Sequence, residues 1–172
     1  MDELFIITTK TPAGPFHMIA EKRNSIDVVI TSGFGDLDSL KLRIPPANYS
    51  TTTSFVNTEK HPYQSLVHDY FAGDENALGH IPIDQPGGTF AKRAWNEMAR
   101  IPWGETISYK ELARRAGNES ASRAAGAACG SNRLVLLIPC HRILKSGGSL
   151  GGYVYGLGVK TKLLQLEGAI LA

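Results

Sequence analysis

Cysteine is scarce in this chain, since only Cys129 and Cys140 occur among 172 residues. Two cysteines eleven positions apart, without an apolar signal-peptide segment ahead of them, predict a reducing compartment and no disulfide scaffold. No run of eighteen apolar residues is present, so the sequence predicts neither a membrane span nor a membrane partner. We therefore expect a globular protein that is not secreted.

Metal-ligand patterns are also missing. The first half has no cysteine, and its histidines His17, His61, His68 and His80 do not follow the spacing of a metal site. We therefore expect no metal and no cofactor.

Charge is divided unevenly along the chain, although the formal net charge is only +2. Residues 1–86 hold six Lys/Arg against eleven Asp/Glu, a net −5, and residues 87–172 hold twelve against five, a net +7. A basic second half indicates a polyanionic partner for that half alone. Solvated faces of ordinary helices would produce the same count, and charge by itself does not separate the two interpretations.

The first half predicts a small α+β lobe. Three short apolar runs, 4–9, 16–20 and 26–30, are separated by turn residues and indicate an antiparallel meander. Apolar residues at helical spacing in 61–72 predict one helix. Prolines and glycines in 82–88 break both periodicities, so we expect domains at 1–85 and 86–172.

The second half predicts a mainly helical lobe. Residues 89–100 carry an apolar stripe, and Ser108 with Glu111 forms a capping-box pattern that starts a second helix. A turn then leads to a third helix at 120–129, made almost wholly of small residues. Two short helices joined by a glycine-containing turn have the proportions of a helix-turn-helix, and small residues allow DNA to approach closely.

The stretch Ile138-Pro139-Cys140-His141-Arg142 carries the clearest chemistry. The apolar run 134–138 predicts a strand buried on both faces that ends at Cys140, and a glycine-rich segment, 146–152, has the composition of a pocket rim. Arg142 favours the reactive thiolate. In extended backbone His141 points away from its neighbour, so a water or a sharp turn has to link the imidazole to the thiol. A packing role for the cysteine remains open at this point.

Glu167 is the only acidic residue after Glu119 and belongs to a predicted last helix, 160–168. It is placed to orient His141, and an exposed helix carboxylate explains it equally well. A hydrolytic cysteine enzyme would need the same kind of orienting group.

Three blocks in this order carry a family resemblance. Residues 104–109, Gly-Glu-Thr-Ile-Ser-Tyr, and 121–126, Ala-Ser-Arg-Ala-Ala-Gly, precede 138–142 at a characteristic spacing. The chain resembles the O6-alkylguanine-DNA alkyltransferases, also called methylated-DNA–protein-cysteine methyltransferases, over nearly all of 86–172 and more loosely before it. The resemblance implies a ribonuclease H-like first lobe and a winged-helix-like second lobe.

The implied activity is direct DNA repair. O6-alkylguanine, mainly O6-methylguanine, would be flipped out of duplex DNA and its alkyl group transferred irreversibly to Cys140. His141 would accept the thiol proton through a water, oriented by Glu167, and Tyr109 would donate a proton to guanine N3. Arg123 would enter the vacated base stack. The product is a thioether, which offers water no electrophilic carbonyl, so the protein would act once.

The resemblance also assigns contact residues. The DNA-binding set is Tyr109, Ser122, Arg123, Ala124 and Ala125. The set around the substrate base is Asn132, Pro139, Ile143, Tyr153, Val154, Tyr155 and Lys160. The expected partner is double-stranded DNA with the lesion, without an obligate protein partner, and the protein is expected to be a monomer off DNA. Its compartment would be the cytoplasm in a prokaryote and the nucleus in a eukaryote.

Some features depart from the family pattern. Val154 and Tyr155 stand where many relatives have small residues, and Tyr155 is expected either to narrow the pocket against bulky adducts or simply to pack against the lobe. Some relatives bind zinc in the first lobe or carry an added regulatory domain, and neither is expected here. Cys129 is expected to pack in or near the third predicted helix of the second lobe, 120–129.

Three other functions stay open. A recognition-only module would bind the lesion without repairing it, but such relatives replace the acceptor cysteine. A helix-turn-helix regulator would not need residues 140–142. A cysteine hydrolase would turn over ester substrates.

Overall fold

The computed structural model describes residues 2–172 and shows two compact units. The first contains the chain up to Gln85 together with Arg133–Leu137, and the second contains Pro86–Asn132 and Ile138–Ala172. This differs from the predicted division into 1–85 and 86–172 in one segment. Residues 133–137 belong to the first unit because their backbone carbonyls accept hydrogen bonds there.

The first unit is built on a four-stranded sheet. Its strands are β1 (Glu3–Thr11), β2 (Gly14–Arg23), β3 (Ile26–Phe34) and β4 (Ser54–Thr58), in the order β3-β2-β1-β4. The meander β1-β2-β3 is antiparallel and lies where the apolar runs predict it. β4 pairs with β1 in parallel, and the sequence analysis did not predict it.

Two helices accompany this sheet. α1 (Leu37–Lys41) begins at Asp36, whose carboxylate accepts a hydrogen bond from the Ser39 amide at 2.8 Å. α2 (Pro62–Phe71) lies within the predicted 61–72 and is capped by His61. An apolar cluster fills the space between β1, β2, β3 and α1, as expected when alternate strand residues face a core; it consists of Leu4, Ile6, Ile19, Ile30, Leu40 and Ile44.

The predicted strand before Cys140 is not a continuous strand. Leu134 makes an isolated parallel bridge to Ser32, and the chain then turns at residues 136–137. Leu136 has φ +74°, in the left-handed region, which an extended strand cannot contain. Four of the five side chains in 134–138 are buried, as the apolar pattern indicated, but the backbone is bent.

The second unit is mainly helical. Its helices are α3 (Thr89–Ala99), α4 (Tyr109–Arg115), α5 (Ser122–Ser131) and α6 (Leu157–Leu166), and two-residue strands β5 (Ile107–Ser108) and β6 (Ile143–Leu144) pair in parallel. α4 starts where the capping pattern predicts, because the Ser108 hydroxyl accepts a hydrogen bond from the Glu111 amide at 3.0 Å. The mixed α+β class is therefore confirmed.

No helix within residues 2–172 is both long and apolar enough to span a bilayer. In the same residues, no three His, Cys, Asp or Glu side chains are grouped so that they could hold a metal ion.

Candidate active site

The backbone around Cys140 is shaped by Pro139. Pro139 has φ −81° and ψ 65°, the conformation of an inverse γ-turn, and the Cys140 amide accordingly donates to the Ile138 carbonyl at 2.8 Å. Cys140–Arg142 then form one turn of 3₁₀ helix. The backbone at Cys140 and His141 is therefore a tight turn and not the extended backbone predicted from the apolar run.

Asn132 fixes this turn from α5. Its side-chain amide donates a hydrogen bond to the same Ile138 carbonyl at 3.1 Å, and it is fully buried. Asn132 also ends α5 as its C-cap residue. One side chain therefore joins the end of that helix to the cysteine turn, and Asn132 does not itself line the cavity beside Cys140.

The Cys140 side chain is 5% exposed and lines a cavity of about 290 Å³. This volume is close to the lower end of the range of ligand pockets, about 300–1,000 Å³. The residues that line the cavity come from α4, α5, the cysteine turn and the segment before α6; they are Tyr109, Gly126, Cys129, Gly130, Cys140, Gly152, Tyr153 and Val154.

His141 is completely buried and directed by Glu167. The Nε2 atom of His141 lies 2.8 Å from Oε1 of Glu167. Nδ1 is buried and has no hydrogen-bond partner within the described part of the chain. Glu167 is itself buried, which excludes the alternative of an exposed helix carboxylate.

Arg142 holds the other side of the same carboxylate. Its Nε donates to Glu167 Oε2 at 2.9 Å, its Nη2 donates to Oε1 at 2.8 Å, and its Nη1 donates to the Ile101 carbonyl at 2.6 Å. This forked pair is geometrically specific for a carboxylate. The sequence analysis expected Arg142 to favour the thiolate, whereas the structure shows it engaged with Glu167.

The protonation states follow from these contacts. Burial alone would raise the pKa of Glu167, but hydrogen bonds from His141 and Arg142 outweigh it and lower that pKa to about 2. Burial lowers the pKa of His141, more than the neighbouring carboxylate raises it. At neutral pH the imidazole is therefore neutral, with its proton on Nε2 facing the carboxylate and a lone pair on Nδ1.

Tyr109 and Gly151 form a close contact beside the cavity. A Cβ at Gly151 would lie 2.9 Å from the Tyr109 hydroxyl oxygen, and Gly151 has φ +70°. Both the left-handed backbone and the contact require glycine here. Burial raises the pKa of Tyr109, and the nearby Cys129 and Cys140 raise it further, so the phenol remains a proton donor.

Lys160 does not line the cavity. Its ammonium group is fully buried and donates to the carbonyls of Ile143 at 2.7 Å, of Leu150, and of Gly152 at 3.2 Å. Burial lowers its pKa. All three donors are used, so Lys160 fixes the segment between β6 and α6 instead of facing a bound base.

Of the other residues predicted around the substrate base, some line the cavity and others do not. Tyr153 and Val154 are on the cavity wall, whereas Tyr155 is not, and its ring packs edge-on against Tyr153 with 6.3 Å between ring centroids. The expected narrowing of the pocket by Tyr155 itself is therefore not observed. Pro139 and Ile143 shape the backbone beside the cavity without lining it.

Of the five predicted DNA-binding residues, four lie at the start of α5, and the fifth, Tyr109, is the first residue of α4. Arg123 and Ala124 are exposed, and Ser122 is half-buried. Ala125 is completely buried, so its predicted DNA contact is wrong. The helical period turns Ala125 and Ala128 inward together, and the Ala128 carbonyl accepts a hydrogen bond from the Trp95 indole at 2.8 Å.

Sequence reasoning missed part of the cavity wall. Gly126, Cys129 and Gly130 share one face of α5, because residues three and four apart are neighbours on a helix. That spacing was visible in the sequence but was interpreted only as a surface for DNA. Burial raises the pKa of the Cys129 thiol to about 12, so it is a neutral neighbour of Cys140.

A thiol on the wall of a small cavity, next to a neutral histidine held by a carboxylate, is the arrangement of proteins that use cysteine as a nucleophile. The α+β fold presents this thiol beside a pair of short helices. Fold and site thus define a class of α+β protein that holds a buried thiol on the wall of a small cavity, next to a histidine–carboxylate pair.

Comparison with known proteins narrows this class. Residues 89–169 match the family model described as 6-O-methylguanine DNA methyltransferase, DNA binding domain. A probable methylated-DNA–protein-cysteine methyltransferase of Acanthamoeba polyphaga mimivirus is 37% identical over 60% of this chain and 68% of its own length. A methylated-DNA–protein-cysteine methyltransferase of Shigella flexneri is 29% identical over 94% of each chain. The chain belongs to the methylated-DNA–protein-cysteine methyltransferase family.

Solved structures agree over nearly the whole chain. A variant of the Mycobacterium tuberculosis O6-methylguanine methyltransferase has a TM-score of 0.73 at 28% identity and covers 98% of this chain and 94% of its own. The M. tuberculosis protein in complex with DNA has a TM-score of 0.69 at 26% identity, with 97% and 93% covered. Other alignments are partial, because the chain spans 64% of the Methanosarcina acetivorans methyltransferase and 42% of the Salmonella typhimurium regulatory protein ada.

Proposed function

We propose that the protein repairs double-stranded DNA by transferring the alkyl group of O6-alkylguanine, mainly O6-methylguanine, to Cys140 in a single turnover. The observation that carries the proposal is the position of Cys140 on the wall of a small cavity, next to the buried His141–Glu167 pair. The family relationship and the DNA complex of the M. tuberculosis neighbour support the same substrate class.

The reaction is a displacement at the alkyl carbon. The Cys140 thiolate attacks that carbon, a carbon–sulfur bond forms, and the bond from carbon to guanine O6 breaks with its electron pair remaining on the base. Protonation of the base completes neutral guanine. The product is a thioether at Cys140, which water does not cleave, so each chain acts once.

His141 is the base that removes the thiol proton. Glu167 fixes the Nε2–H tautomer, which leaves the Nδ1 lone pair as the acceptor, and the pKa of His141 is lowered so that this lone pair is available at neutral pH. The proton passes through a water or across the tight turn. Tyr109 is the proton donor toward the guanine N3, since its raised pKa keeps the phenol protonated.

DNA is bound by α4 and α5, used as a helix-turn-helix in a winged-helix-like unit. Arg123 is exposed near the start of α5, where it enters the base stack and replaces the flipped nucleotide. On α4, Arg114 and Arg115 are paired with Glu111, at 2.6 and 2.9 Å. The excess of basic residues after residue 86 supplies sequence-independent affinity that falls with salt.

The remaining expectations belong to the same proposal. The first unit is ribonuclease H-like, the protein is a monomer off DNA without an obligate protein partner, and it works where the DNA is, in the cytoplasm of a prokaryote or the nucleus of a eukaryote.

Mass spectrometry tests the proposal directly. The protein is incubated with a duplex carrying one O6-methylguanine, and intact and peptide masses are recorded for the wild type and for Cys140→Ala. We expect the wild type to gain one methylene unit on the peptide that contains Cys140, and the variant to gain none. Tight lesion binding without a mass gain would instead support recognition alone, and repeated turnover of esters would support a hydrolase.

A further inference from the structure

Two hydroxyl side chains of β3 hold the segment that leads to Cys140. The Ser32 amide and hydroxyl donate to the carbonyls of Arg133 and Val135, each at 2.8 Å. The Thr31 hydroxyl donates to the same Arg133 carbonyl at 3.0 Å. Both hydroxyl residues are completely buried. The two hydroxyl bonds join residues that are 102 and 103 positions apart in the chain.

The strand itself does not require hydroxyl groups at these positions. β3 also buries the apolar residues Val29, Ile30 and Phe34. A buried hydroxyl group costs free energy unless it is hydrogen-bonded, whereas the burial of an apolar side chain is favourable. The two hydroxyl groups are therefore explained by the carbonyls that they bind.

The backbone between this attachment and the cysteine turn is strained. Leu136 has φ +74°, a left-handed conformation that costs an L-residue about 1–2 kcal/mol. Such a conformation persists where the surrounding structure imposes it. On one side Ser32 holds the Val135 carbonyl. On the other side Asn132 holds the Ile138 carbonyl at 3.1 Å, so the strained residue lies between two fixed points.

The second fixed point belongs to the turn that carries Cys140. The Ile138 carbonyl also accepts a hydrogen bond from the Cys140 amide, at 2.8 Å. Only two residues separate Ile138 from Val135. Release of Val135 would let Leu136 relax, and the backbone that carries the thiol would move with it.

We propose that Ser32, assisted by Thr31, is a positioning residue for alkyl transfer, because it fixes the backbone that sets Cys140 against His141. Neither hydroxyl residue lines the cavity, so the effect passes through the chain and not through contact with the substrate. The inference rests on the proposed alkyl transfer and adds a residue of the first unit to the groups on which its rate depends.

The test uses the whole chain and measures single-turnover transfer from a duplex with one O6-methylguanine, at a series of DNA concentrations. The series separates the affinity for the duplex from the transfer rate of the bound complex. Ser32→Ala removes the hydroxyl group and keeps the backbone bond to Arg133. Because misplacement of reacting groups by about 1 Å slows a reaction by about 10²-fold, we expect the transfer rate to fall about 10–100-fold and the affinity to stay unchanged.

Thr31→Val should have a smaller effect, because the Arg133 carbonyl keeps its bond from the Ser32 amide. A matched pair at Ser32 isolates the hydroxyl group. Threonine and valine are both branched at Cβ and have nearly the same shape, so Ser32→Thr and Ser32→Val differ mainly in the hydroxyl. We expect Ser32→Thr to transfer the methyl group faster than Ser32→Val.

Thr11→Val is the control for a hydroxyl group lost elsewhere in the first unit. The Thr11 hydroxyl donates to the Gly14 carbonyl at 2.6 Å, in the turn between β1 and β2. This variant should lower the melting temperature without slowing transfer. Thermal melting identifies the folded variants, and Thr31→Val carries the comparison if Ser32→Ala does not fold.

A second measurement needs no DNA. Reaction of Cys140 with iodoacetamide, followed by peptide mass spectrometry over a pH series, reports how readily the thiol loses its proton. We expect Ser32→Ala to move the midpoint of this profile to higher pH, because the thiol is no longer aligned with His141. Thr11→Val should leave the midpoint unchanged.

Each result bears on one claim. A transfer rate and a pH profile equal to those of the wild type in folded Ser32→Ala would overturn the positioning role and leave the repair function intact. Equal rates in Ser32→Thr and Ser32→Val would do the same, as would slow transfer in Thr11→Val. A wild type that transfers no methyl group would overturn the repair function, and the iodoacetamide profile would still test the position of the thiol.

Discussion

The two units bury different kinds of polar residue. Within residues 2–172, those buried in the first unit are all neutral or hydroxyl-bearing types apart from one histidine: Thr9, His17, Thr31, Ser32 and Gln85. Those buried in the second include both signs of charge: Asn132, His141, Arg142, Lys160 and Glu167. Burying a charge is costly unless it is paired, and such groups concentrate at functional sites.

The two buried histidines show the difference at atomic scale. In the first unit, Nδ1 of His17 is 2.8 Å from the Thr8 hydroxyl and Nε2 is 2.8 Å from the Gly35 carbonyl, so both nitrogens are used. In the second, Nε2 of His141 is bound to Glu167, and Nδ1 has no partner in the described chain. A histidine whose two ring nitrogens are both hydrogen-bonded has a structural role. A histidine with one ring nitrogen available can accept a proton.

The largest expected effect comes from removing the carboxylate of Glu167, which contacts both His141 and Arg142. Glu167→Gln leaves the buried Arg142 without its full ionic partner and His141 without its acceptor, so the free energy of unfolding should fall by about 3–5 kcal/mol. The alkyl-transfer rate should fall as well. Urea unfolding and single-turnover transfer measure both. Glu97→Gln, which breaks a surface pair with Arg100, is the control and should cost at most about 1 kcal/mol.

Replacing each buried histidine by phenylalanine sharpens the comparison. His141→Phe should slow alkyl transfer by about 10²–10⁴-fold, the usual contribution of a general base. His17→Phe should lower the free energy of unfolding by about 1–3 kcal/mol through its lost hydrogen bonds, with the transfer rate unchanged. Rates are measured on protein that circular dichroism shows to be folded. Equal slowing in both variants would remove the distinction between the histidines.

Acid should act on the second unit through Glu167. Its pKa is about 2 in the folded protein against 4.5 ordinarily, so the unfolded chain takes up a proton first as pH falls. The ionised Glu167 carboxylate therefore adds about 3 kcal/mol at most to the free energy of unfolding. This contribution is fully present above pH 4.5 and is lost between pH 4.5 and 2. The free energy of unfolding, measured across this pH range, should fall more steeply with decreasing pH for the wild type than for Glu167→Gln. Parallel curves would contradict the shift.

The transfer rate should also have an acid limb. The ordinary pKa of a histidine is 6.5, and the pKa of His141 is lowered from that value. The imidazole therefore keeps its lone pair down to pH 6.5, and the transfer rate should fall only below that pH. Transfer measured from pH 8 downward checks this. A midpoint above pH 6.5 would contradict the assignment.

The smallest effect concerns one glycine in each unit. Gly151→Ala and Gly14→Ala both place alanine at positive φ, +70° and +106°, which should cost each about 1–2 kcal/mol. Only the new Cβ at residue 151 meets Tyr109, so only that variant should slow transfer. Thermal melts and transfer rates separate the two effects, and equal transfer rates would show that the Tyr109 contact is unimportant.

The sequence predicted the elements whose own residues specify them. The strands of the meander β1-β2-β3 contain apolar runs separated by turn residues, and α4 starts at a serine cap, so both were predicted. β4, Ser-Phe-Val-Asn-Thr, is short and largely polar, and its pairing with β1 joins residues about fifty positions apart. Local pattern does not contain that information.

At the site, too, local sequence pattern did not predict contacts between residues far apart in the chain. Cys140, His141 and Glu167 were expected together, because the resemblance supplied a pairing that spacing did not. The forked contact of Arg142 with Glu167 and the three carbonyls around Lys160 depend on segments brought together by folding. A left-handed leucine within an apolar run, Leu136, contradicts the usual preference of branched residues and gives no local signal.

Because Arg133–Leu137 belong to the first unit, the second unit cannot be obtained whole by cutting the chain at one place. A fragment that begins at residue 86 would keep this segment but lose the Ser32 amide and hydroxyl that bind the Arg133 and Val135 carbonyls at 2.8 Å. The orphaned residues come directly before the turn that carries Cys140. We therefore expect a fragment that begins at residue 86 to be less stable than the whole chain, because the backbone directly before the Cys140 turn would lack these hydrogen bonds.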